Sequence, residues 1–281
     1  MTTHVTRNSF EVEVANYYDT KQDDKVNLLP GKIDGLYHHH NGIGPINPDL
    51  LSTRSGLLDQ AIIDDLHRLE SQQVELIMKV LGGISTDDSV MDAGSGRGGT
   101  CFMLADRFGC QVEGIAISQY QVDFATRLAV ERGCASSVRF SLRNMVDTKF
   151  PAASFQAITA DETTMYVDLA EAFSEFARIL KPGGRVAIIT ACYRDVGDTS
   201  RQYVDEIDRL YKCHIHPRST YVKELVDHDL IPCQITDLSA DAIPYWTLRE
   251  RSSLRTGIET PILASLWSQT INYLLLVAER R

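Results

Sequence analysis

The sequence predicts an α/β fold, built on a doubly wound parallel sheet with helices on both faces. Between Ser89 and Thr190, apolar runs of strand length alternate with amphipathic stretches of helix length. A glycine-rich segment, Asp92–Gly99, follows the first run at the point where the first strand of such a sheet leads into a helix. The chain has 281 residues, 43% of them hydrophobic, which is enough for one large domain with a substantial core.

The segment before the sheet, residues 1–82, is predicted to consist of helices and an ordered loop. Phe10–Tyr18 is compatible with a short helix. Asp34–Pro45 contains too much glycine and clustered polarity for a helix or a strand, which predicts an ordered loop. Leu57–Leu81 carries apolar residues at helical spacing and predicts one amphipathic helix, or two with a bend.

The second zone supplies five strands and three helices in alternation. The predicted strands are Ser89–Asp92, Val112–Ile117, Val138–Leu142, Ala157–Ala160 and Arg185–Thr190, and the predicted helices are Thr100–Phe108, Gln119–Arg132 and Leu169–Leu180. Because parallel neighbours are joined by right-handed crossovers, this order makes the sheet doubly wound.

The last zone is predicted to close one edge of the sheet and to cover its ligand-binding side. Its predicted elements are helical stretches at Tyr203–Tyr211 and Tyr221–Asp227, strands at Gln234–Leu238 and Tyr273–Ala278, and a turn-and-helix insertion at Pro244–Trp267. We therefore expect an N-terminal helical and loop cap over residues 1–82 and a sheet domain over residues 83–281. Substrate-covering insertions are expected at about 191–232 and 240–270.

Charge and composition exclude several classes of function. The formal net charge is −10 and the pI is about 5.3, which argues against a nucleic-acid-binding surface but allows a local basic pocket. The six cysteines form no C-x-x-C pair, so neither a zinc ribbon nor a thioredoxin-type site is indicated. The N-terminus lacks an apolar signal-peptide core, and the longest apolar run, Tyr273–Ala278, is too short to span a bilayer. We expect a cytoplasmic protein without a membrane span, and a homo-oligomer remains compatible with the sequence.

The glycine-rich segment points to a nucleotide-like cofactor. Gly94, Gly96 and Gly99 match G-x-G-x-x-G, a pattern compatible with a structural turn and with a nicotinamide dinucleotide site. Asp92 favours S-adenosylmethionine, because its carboxylate would repel a pyrophosphate but can meet the ammonium group of a methionine moiety. Leu180–Ile189 adds a Pro-Gly-Gly turn before a β-branched strand. In this order the two segments resemble those of class I methyltransferases, whose sheet is Rossmann-like.

A further pattern resembles one subgroup of these enzymes. Gly114, Ser118 and Gln121 match the G-x-x-x-S-x-x-Q pattern of cyclopropane-fatty-acid synthases and sterol methyltransferases. The resemblance implies that Gln121 holds the cofactor ribose, although a solvated glutamine in the first helical turn is equally compatible with the sequence. It also implies that Asn144 and Met145 contact the adenine. The residues expected to bind the cofactor are thus Asp92, Gly94, Gly96, Ser118, Gln121, Asn144 and Met145.

The fold does not decide which atom receives the methyl group. An O- or N-methyltransferase needs a base that frees a lone pair. Methylation of an alkene instead forms a carbocation, which needs aromatic faces and one buried carboxylate that removes a proton. Glu162 follows the fourth predicted strand, on the ligand-binding side of the sheet, and can be that carboxylate; a glutamate stabilised by a helix N-terminus is the alternative interpretation. The aromatic residues of the covering segments, each also compatible with a core position, are Tyr193, Tyr203, Tyr211, Tyr221, Tyr245 and Trp246.

The histidines do not predict a metal site. The side chains of His38, His39 and His40 would point apart in an extended segment. His214 and His216 are spaced to share one face of a strand, but no carboxylate has a matching spacing. Tyr37–Gly44 is better explained as a polar loop that donates hydrogen bonds to an anionic ligand.

Several longer strings resemble a narrower family. Gly35–Gly44, Asp92–Gly99, Glu162–Asp168, Leu248-Arg249 and Ser253–Glu259 are similar to segments of the geranyl diphosphate 2-C-methyltransferase family, and the likeness runs from about Val26 onward. The resemblance implies electrophilic methylation of an allylic isoprenyl diphosphate, with S-adenosylmethionine as the donor. It also implies that Mg²⁺ helps to hold the diphosphate, and it singles out no metal ligand.

The resemblance also implies residue roles. Glu162 matches the family's base, Tyr211 falls at a cation-facing aromatic, and Asn27 matches an asparagine of the substrate pocket. The residues expected to bind the substrate are Asn27, Tyr37, His38, Asn41, Tyr166, Tyr203 and Trp246.

Two departures from the family pattern lie near the presumed reacting carbon. Asn41 replaces a tyrosine, and Thr159-Ala-Asp-Glu162 replaces Trp-Asn-Asn-Glu. These changes enlarge the pocket and alter its polarity. A farnesyl substrate, or methylation at a more distant double bond, is therefore compatible with the sequence beside geranyl diphosphate.

Three other functions are compatible with parts of the sequence. They are a small-molecule O- or N-methyltransferase, a nicotinamide-dependent oxidoreductase and a non-catalytic binding module. The intact Asp92–Gly99 segment argues against the binding module. Assays with prenyl diphosphates and phenols separate the two kinds of methyltransferase, and binding of S-adenosylhomocysteine or NAD separates a methyltransferase from an oxidoreductase.

Overall fold

A seven-stranded sheet lies at the centre of the computed structural model, which describes residues 5–52, 58–196 and 201–281. The strands are β1 Ser89–Ala93, β2 Gln111–Ala116, β3 Val138–Leu142, β4 Phe155–Asp161, β5 Leu180–Tyr193, β6 Leu230–Asp237 and β7 Ile271–Arg280. Their order is β3-β2-β1-β4-β5-β7-β6. The first five pair in parallel, and β7 runs antiparallel to both β5 and β6. The predicted doubly wound α/β sheet is confirmed.

Helices connect and cover these strands. They are α1 Ser9–Thr20, α2 Lys25–Gly31, α3 Asp49–Ser52, α4 Asp59–Leu81, α5 Gly99–Phe108, α6 Gln119–Glu131, α7 Leu169–Ile179, α8 Gln202–Tyr211, α9 Arg218–Asp227, α10 Ser239–Arg249 and α11 Glu259–Trp267. The long amphipathic stretch is one helix from Asp59, and Leu57, where it was predicted to start, lies outside the described residues. The sequence did not predict α2 and α3, because they are too short to show a helical period. In the part of the chain described here, no helix combines the length and apolarity needed to cross a membrane.

Two predicted strand bounds need correction. The strand predicted from Arg185 starts at Leu180, which pairs with Phe155, and a register irregularity precedes the pairing of Arg185 with Ala157. The Pro-Gly-Gly turn is thus an irregularity within β5. The strand predicted from Gln234 starts at Leu230, because pairing with β7 continues past Pro232 through a second irregularity.

Side chains alternate between two cores, one on each face of the sheet. On β5 and β7, Ile188 and Leu274 pack in the core that includes α7 and α9. Their neighbours Ile189 and Leu275 pack in the opposite core, with α4, α5, α10 and α11. Tyr273 belongs to this second face, because side chains of a strand alternate with a period of two. The Tyr273 hydroxyl on β7 therefore lies on the side of the sheet that α4 covers.

Candidate active site

Two adjacent cavities lie where the parallel strands end. The first, the glycine-loop cleft, is lined by Glu11, Val14, Tyr18, residues 37–40, Asp92, Gly94, Ser95, Gly99, Thr100, residues 115–117, Gln121, residues 143–145, residues 161–163, Tyr166 and Val167. The second, the aromatic chamber, has a volume of about 510 Å³. Its aromatic lining consists of Tyr17, Tyr18, Tyr166, Tyr211, Trp246 and Tyr273. The cavities share Tyr18, His39, His40, Glu162 and Tyr166, so ligands held in the two cavities can meet.

The glycine loop turns sharply out of β1. Gly94 has a φ of +85°, and a Cβ there would lie 2.3 Å from Cγ2 of Thr163. The backbone amides of Gly94 and Ser95 each donate to the carbonyl oxygen of Ile115 at 2.9 Å. At the end of β1, the buried carboxylate of Asp92 accepts a hydrogen bond from Thr159 Oγ1 at 2.6 Å. Burial raises the pKa of Asp92. The loop therefore presents one carboxyl group and closely packed backbone to the cleft.

The other motif glycines make room for the histidine segment. A Cβ on Gly99 would lie 2.8 Å from Nδ1 of His38, and one on Gly96 would lie 3.2 Å from Cβ of His39. Gly96 was predicted to bind the cofactor, but it does not line either cavity, since His39 packs against it. The glycine pattern and the histidine string thus belong to one packed unit.

Five of the seven residues predicted to bind the cofactor line the cleft: Asp92, Gly94, Gln121, Asn144 and Met145. Ser118 does not line the cleft. Its hydroxyl caps α6 by accepting from the backbone amide of Gln121 at 3.2 Å, and it donates to Asp19 of α1 at 2.6 Å. Ser118 therefore attaches α1 to the start of α6.

Helix α1 supplies cleft residues that the sequence pattern does not indicate. Glu11 and Tyr18 both line the cleft, and Glu11 accepts a hydrogen bond from Asn144 Nδ2 at 2.9 Å. The Asn8-x-x-Glu11 pattern is a helix-start signal, and Asn8 caps α1 by accepting from the Glu11 amide at 2.9 Å. That signal locates the helix, but it does not show that α1 packs against α6 and reaches the cleft.

Glu162 lies where the cleft meets the chamber. It directly follows β4 and has a φ of +54°, a left-handed conformation that is uncommon for a residue with a side chain. Its carboxylate accepts from the Asn41 backbone amide at 3.0 Å and from Asn41 Nδ2 at 2.7 Å, and the hydroxyl of Tyr273 also contacts it. Such backbone strain at an over-determined position is typical of functional sites.

A buried polar group lies behind Glu162. Gln73 of α4 donates through Nε2 to Oδ1 of Asp161 at 2.8 Å, and His40 Nε2 lies 3.5 Å from Oδ2 of Asp161. Burial, reinforced by the charge of Glu162, raises the pKa of Asp161 to about 7. Burial lowers the pKa of His40, but Asp161 and the carbonyl of Asn41 outweigh burial and raise it overall.

The raised pKa of Asp161 predicts how the stability of the protein depends on pH. Asp161 titrates near 3.8 when unfolded and near 7 when folded, so its contribution to stability is full below about pH 4 and is lost as the pH rises to 7. We expect the free energy of unfolding to fall over this range more steeply in the wild type than in Asp161→Asn, by up to about 1.4 kcal/mol per pH unit. Urea unfolding from pH 4 to 7.5 measures the difference, with Asp123→Asn on the exposed side of α6 as the control. Parallel curves for wild type and Asp161→Asn would contradict the assignment.

The chamber lining also includes cationic side chains. Lys21 and Arg249 line it, and burial lowers the pKa of Lys21. The Arg249 guanidinium lies over the Trp246 ring at 4.9 Å and pairs through Nε with Oε1 of the fully buried Glu259 at 3.0 Å. Asp24 and Glu206 are acidic residues of the same lining, and Asp24 accepts from Asn27 Nδ2 at 2.5 Å. An anionic group in the chamber can therefore meet the side chains of Lys21 and Arg249.

The residues predicted to bind the substrate fall into three groups. Asn27, Asn41, Tyr166 and Trp246 line the chamber, as does the predicted catalytic aromatic, Tyr211. Tyr37 and His38 line the cleft instead, because the histidine segment packs on the glycine loop. Tyr203 lines neither cavity, although it lies on α8 one turn before Ile207, which lines the chamber.

Two other candidate aromatics are core residues. The Tyr221 hydroxyl lies 2.9 Å from the hydroxyls of both Thr164 and Thr190, and the Tyr245 hydroxyl donates to Glu70 at 2.9 Å.

Burial lowers the pKa of both His38 and His39 well below 6.5. Among residues 5–52, 58–196 and 201–281, no three or more His, Cys, Asp or Glu side chains are grouped so that they could hold a metal ion.

Comparison with known proteins identifies the family. A family profile described as "Methyltransferase domain" matches residues 91–188. Geranyl diphosphate 2-C-methyltransferase of Saccharopolyspora erythraea is 42% identical over 271 residues, which cover 96% of this chain and 95% of that protein. The chain belongs to the geranyl diphosphate 2-C-methyltransferase family.

A solved structure of this family matches along nearly the whole chain. It is geranyl diphosphate C-methyltransferase from Streptomyces coelicolor, in complex with Mg²⁺, geranyl-S-thiolodiphosphate and S-adenosyl-L-homocysteine. The TM-score is 0.94 at 41% identity, covering 98% of this chain and 99% of that one. The fold is thus that of a class I methyltransferase, and the predicted resemblance is confirmed.

Proposed function

We propose that this protein transfers a methyl group from S-adenosylmethionine to an alkene carbon of an allylic isoprenyl diphosphate. The observation that carries the proposal is the position of the Glu162 carboxylate, which borders both the glycine-loop cleft and an aromatic chamber. A relative that binds S-adenosyl-L-homocysteine and a geranyl diphosphate analogue, at 41% identity, supports it. Residues 1–82 act as a cap, since they supply Tyr18 and His39 to both cavities.

The cleft residues suit S-adenosylmethionine. Asp92 holds the ammonium group, and Gln121 lies in the first turn of α6, where its amide can bind the ribose. Asn144 and Met145 border the adenine side, and Asn144 is fixed there by Glu11. Because Glu162 borders both cavities, a methyl donor held in the cleft can reach a substrate in the chamber.

The chemistry follows from the two cavities. The π electrons of the substrate attack the methyl carbon while the C–S bond breaks, its electron pair going to sulfur, which leaves a carbocation on the prenyl chain. Aromatic faces such as those of Tyr211 and Trp246 stabilise that charge. Glu162 then accepts a proton from the adjacent carbon, and the C–H electrons form the new double bond. Exclusion of water protects the cation from capture.

The opposite end of the chamber suits the diphosphate. Lys21 and Arg249 supply positive charge, and Asp24 supplies one carboxylate. Mg²⁺ is commonly held by one or two carboxylates together with substrate phosphate oxygens, so this donor set fits an ion that arrives with the diphosphate. Asp24 and Asn27 would hold the ion there, and its charge would neutralise the diphosphate and keep it from leaving.

The test is product identification by mass spectrometry and NMR. The purified protein, Mg²⁺ and S-adenosylmethionine are incubated separately with geranyl, farnesyl and isopentenyl diphosphate and with a phenol. A prenyl diphosphate heavier by one methylene is expected. Methylation of the phenol alone would overturn the proposal in favour of O-methylation, and calorimetric binding of NAD instead of S-adenosylhomocysteine would overturn the cofactor assignment. The same assay decides the length of the prenyl chain, because the chamber volume of about 510 Å³ does not determine that length by itself.

Gly94→Ala is expected to abolish measurable binding of S-adenosylhomocysteine. The new methyl would lie 2.3 Å from Thr163 Cγ2, at a φ of +85° that disfavours alanine, so the loop must move. Gly133→Ala is the control, because Gly133 also has a positive φ but nothing lies within 4 Å of its Cβ position. Titration calorimetry compares the two, and equal affinities would refute the assigned role of the loop.

A further inference from the structure

One hydroxyl in the chamber has two acceptors. Tyr273 Oη contacts Oε1 of Glu162 and also lies 3.0 Å from Oε1 of Gln73. The side chain is buried on β7, and burial raises the pKa of Tyr273 well above its usual value, so the hydroxyl keeps its proton. A hydroxyl has a single proton, so Tyr273 can donate to only one of these two oxygens at a time.

The orientation of Gln73 is fixed from the other side. Its side chain is fully buried on α4, and Nε2 donates to Oδ1 of Asp161 at 2.8 Å. Oδ1 of Asp161 can accept this hydrogen bond whether the carboxyl group is ionised or carries its proton on Oδ2, the oxygen that faces His40, so the NH₂ group of Gln73 faces Asp161. The amide oxygen of Gln73 is thereby directed at Tyr273, as an acceptor.

The other atoms that contact the Glu162 carboxylate are donors. Asn41 contacts the carboxylate through its backbone N–H and through Nδ2, at 3.0 and 2.7 Å. These groups satisfy the ionised form. When the carboxylate has gained a proton, the resulting O–H needs an acceptor, and within the described residues Tyr273 Oη is the one polar contact of the carboxylate that can accept.

We propose that Tyr273 and Gln73 form a hydrogen-bond switch that stabilises both protonation states of Glu162. The inference rests on the proposed function. Before proton transfer, Tyr273 donates to the Glu162 carboxylate. After Glu162 has taken the proton from the substrate, its O–H donates to Tyr273 Oη, while the Tyr273 O–H rotates to donate to Gln73 Oε1. No proton leaves Tyr273, and Tyr273 and Gln73 are positioning residues that act through Glu162.

The switch is tested with Tyr273→Phe, which removes only the hydroxyl. Losing a hydrogen bond to a charged group is expected to lower kcat about 10- to 100-fold. KM for the prenyl diphosphate and the affinity for S-adenosylhomocysteine stay within about threefold. A slower base also leaves the cation longer-lived, so the share of alcohol from water capture, and of other double-bond isomers, rises among the products.

The matched control is Tyr245→Phe. The Tyr245 hydroxyl is equally buried and donates to Glu70 at 2.9 Å, but Tyr245 lines neither cavity. It is expected to keep the kcat and the product ratio of the wild type, even if it loses stability. A decrease in kcat as large as that of Tyr273→Phe would make the effect merely structural and overturn the switch.

Gln73→Leu tests the second acceptor. It leaves Tyr273 able to donate to the ionised Glu162 but gives its proton nowhere to go afterwards. The double variant Tyr273→Phe/Gln73→Leu should be no slower than the slower single variant, because both substitutions disable the same hydrogen-bond switch. If Gln73→Leu does not fold, the comparison of Tyr273→Phe with Tyr245→Phe still decides.

The wild-type assay separates failure of the switch from failure of the proposed function. If the wild type forms no methylated prenyl diphosphate, the proposed function fails. If the wild type is active while Tyr273→Phe matches its kcat and product ratio, only the switch is wrong.

Discussion

Glu162→Gln is expected to lower kcat by about 10²- to 10⁴-fold, the range that removal of a general base produces. The amide cannot accept the proton that the substrate must lose, although it has nearly the volume of the carboxyl group. Glu162 is held by Asn41 and Tyr273, contacts that a glutamine can partly retain, so the variant should fold and bind S-adenosylhomocysteine. Steady-state kinetics measure kcat, calorimetry measures the affinity for S-adenosylhomocysteine, and circular dichroism shows whether the variant is folded.

Glu206→Gln is the matched control for this variant. Glu206 is a second glutamate of the chamber lining, but it lies exposed on α8. Its substitution should change kcat by less than about threefold, since exposed polar substitutions have small effects. Near-normal product formation by Glu162→Gln would remove Glu162 from the role of base, whatever the control does.

Arg249→Met is expected to lower the free energy of unfolding by about 3–5 kcal/mol, as when one partner of a buried ion pair is removed. Arg249 pairs with Glu259 at 3.0 Å, and Glu259 is fully buried. Methionine would preserve part of the packing against Trp246 but leave the Glu259 carboxylate without its cation. Urea denaturation at neutral pH measures the loss.

Two further variants test this explanation. Arg185→Met removes an arginine whose pair with Glu279, at 3.3 Å, is about half exposed, so the expected loss is below about 1 kcal/mol. Arg249→Met/Glu259→Leu removes both buried charges and should recover part of the stability lost by the single variant. A double variant less stable than Arg249→Met would show that the pair stabilises the protein through more than mutual neutralisation.

The position of Glu162 could be predicted from the sequence, whereas its surroundings could not. It follows an apolar strand, and the carboxyl ends of parallel strands meet at one edge, so local pattern and a general rule were sufficient. Its contacts come from Asn41 and Tyr273, which lie 121 and 111 positions away along the chain. Nothing in the spacing of those residues indicates that they meet.

The surroundings of other predicted site residues show the same limit. Ser118 fits a cofactor-binding pattern, yet its hydroxyl caps α6 and contacts Asp19 of α1. Tyr37 and His38 are expected to bind the substrate, and they face the cleft because Gly99 lets them approach α5. In each case the residue type suits the predicted role, but its contacts depend on packing between distant segments.

The sequence by itself determined the alternating α/β elements, the glycine turn after β1 and the likeness to one methyltransferase family. Those features are periodic or contiguous, so they are encoded over a few neighbouring residues. Only the tertiary structure decided that α1 completes the cleft, that β7 places Tyr273 opposite Gln73, and that Arg249 neutralises Glu259. These contacts depend on strand register and on which helix covers which face, and such properties arise from the packing of the whole chain.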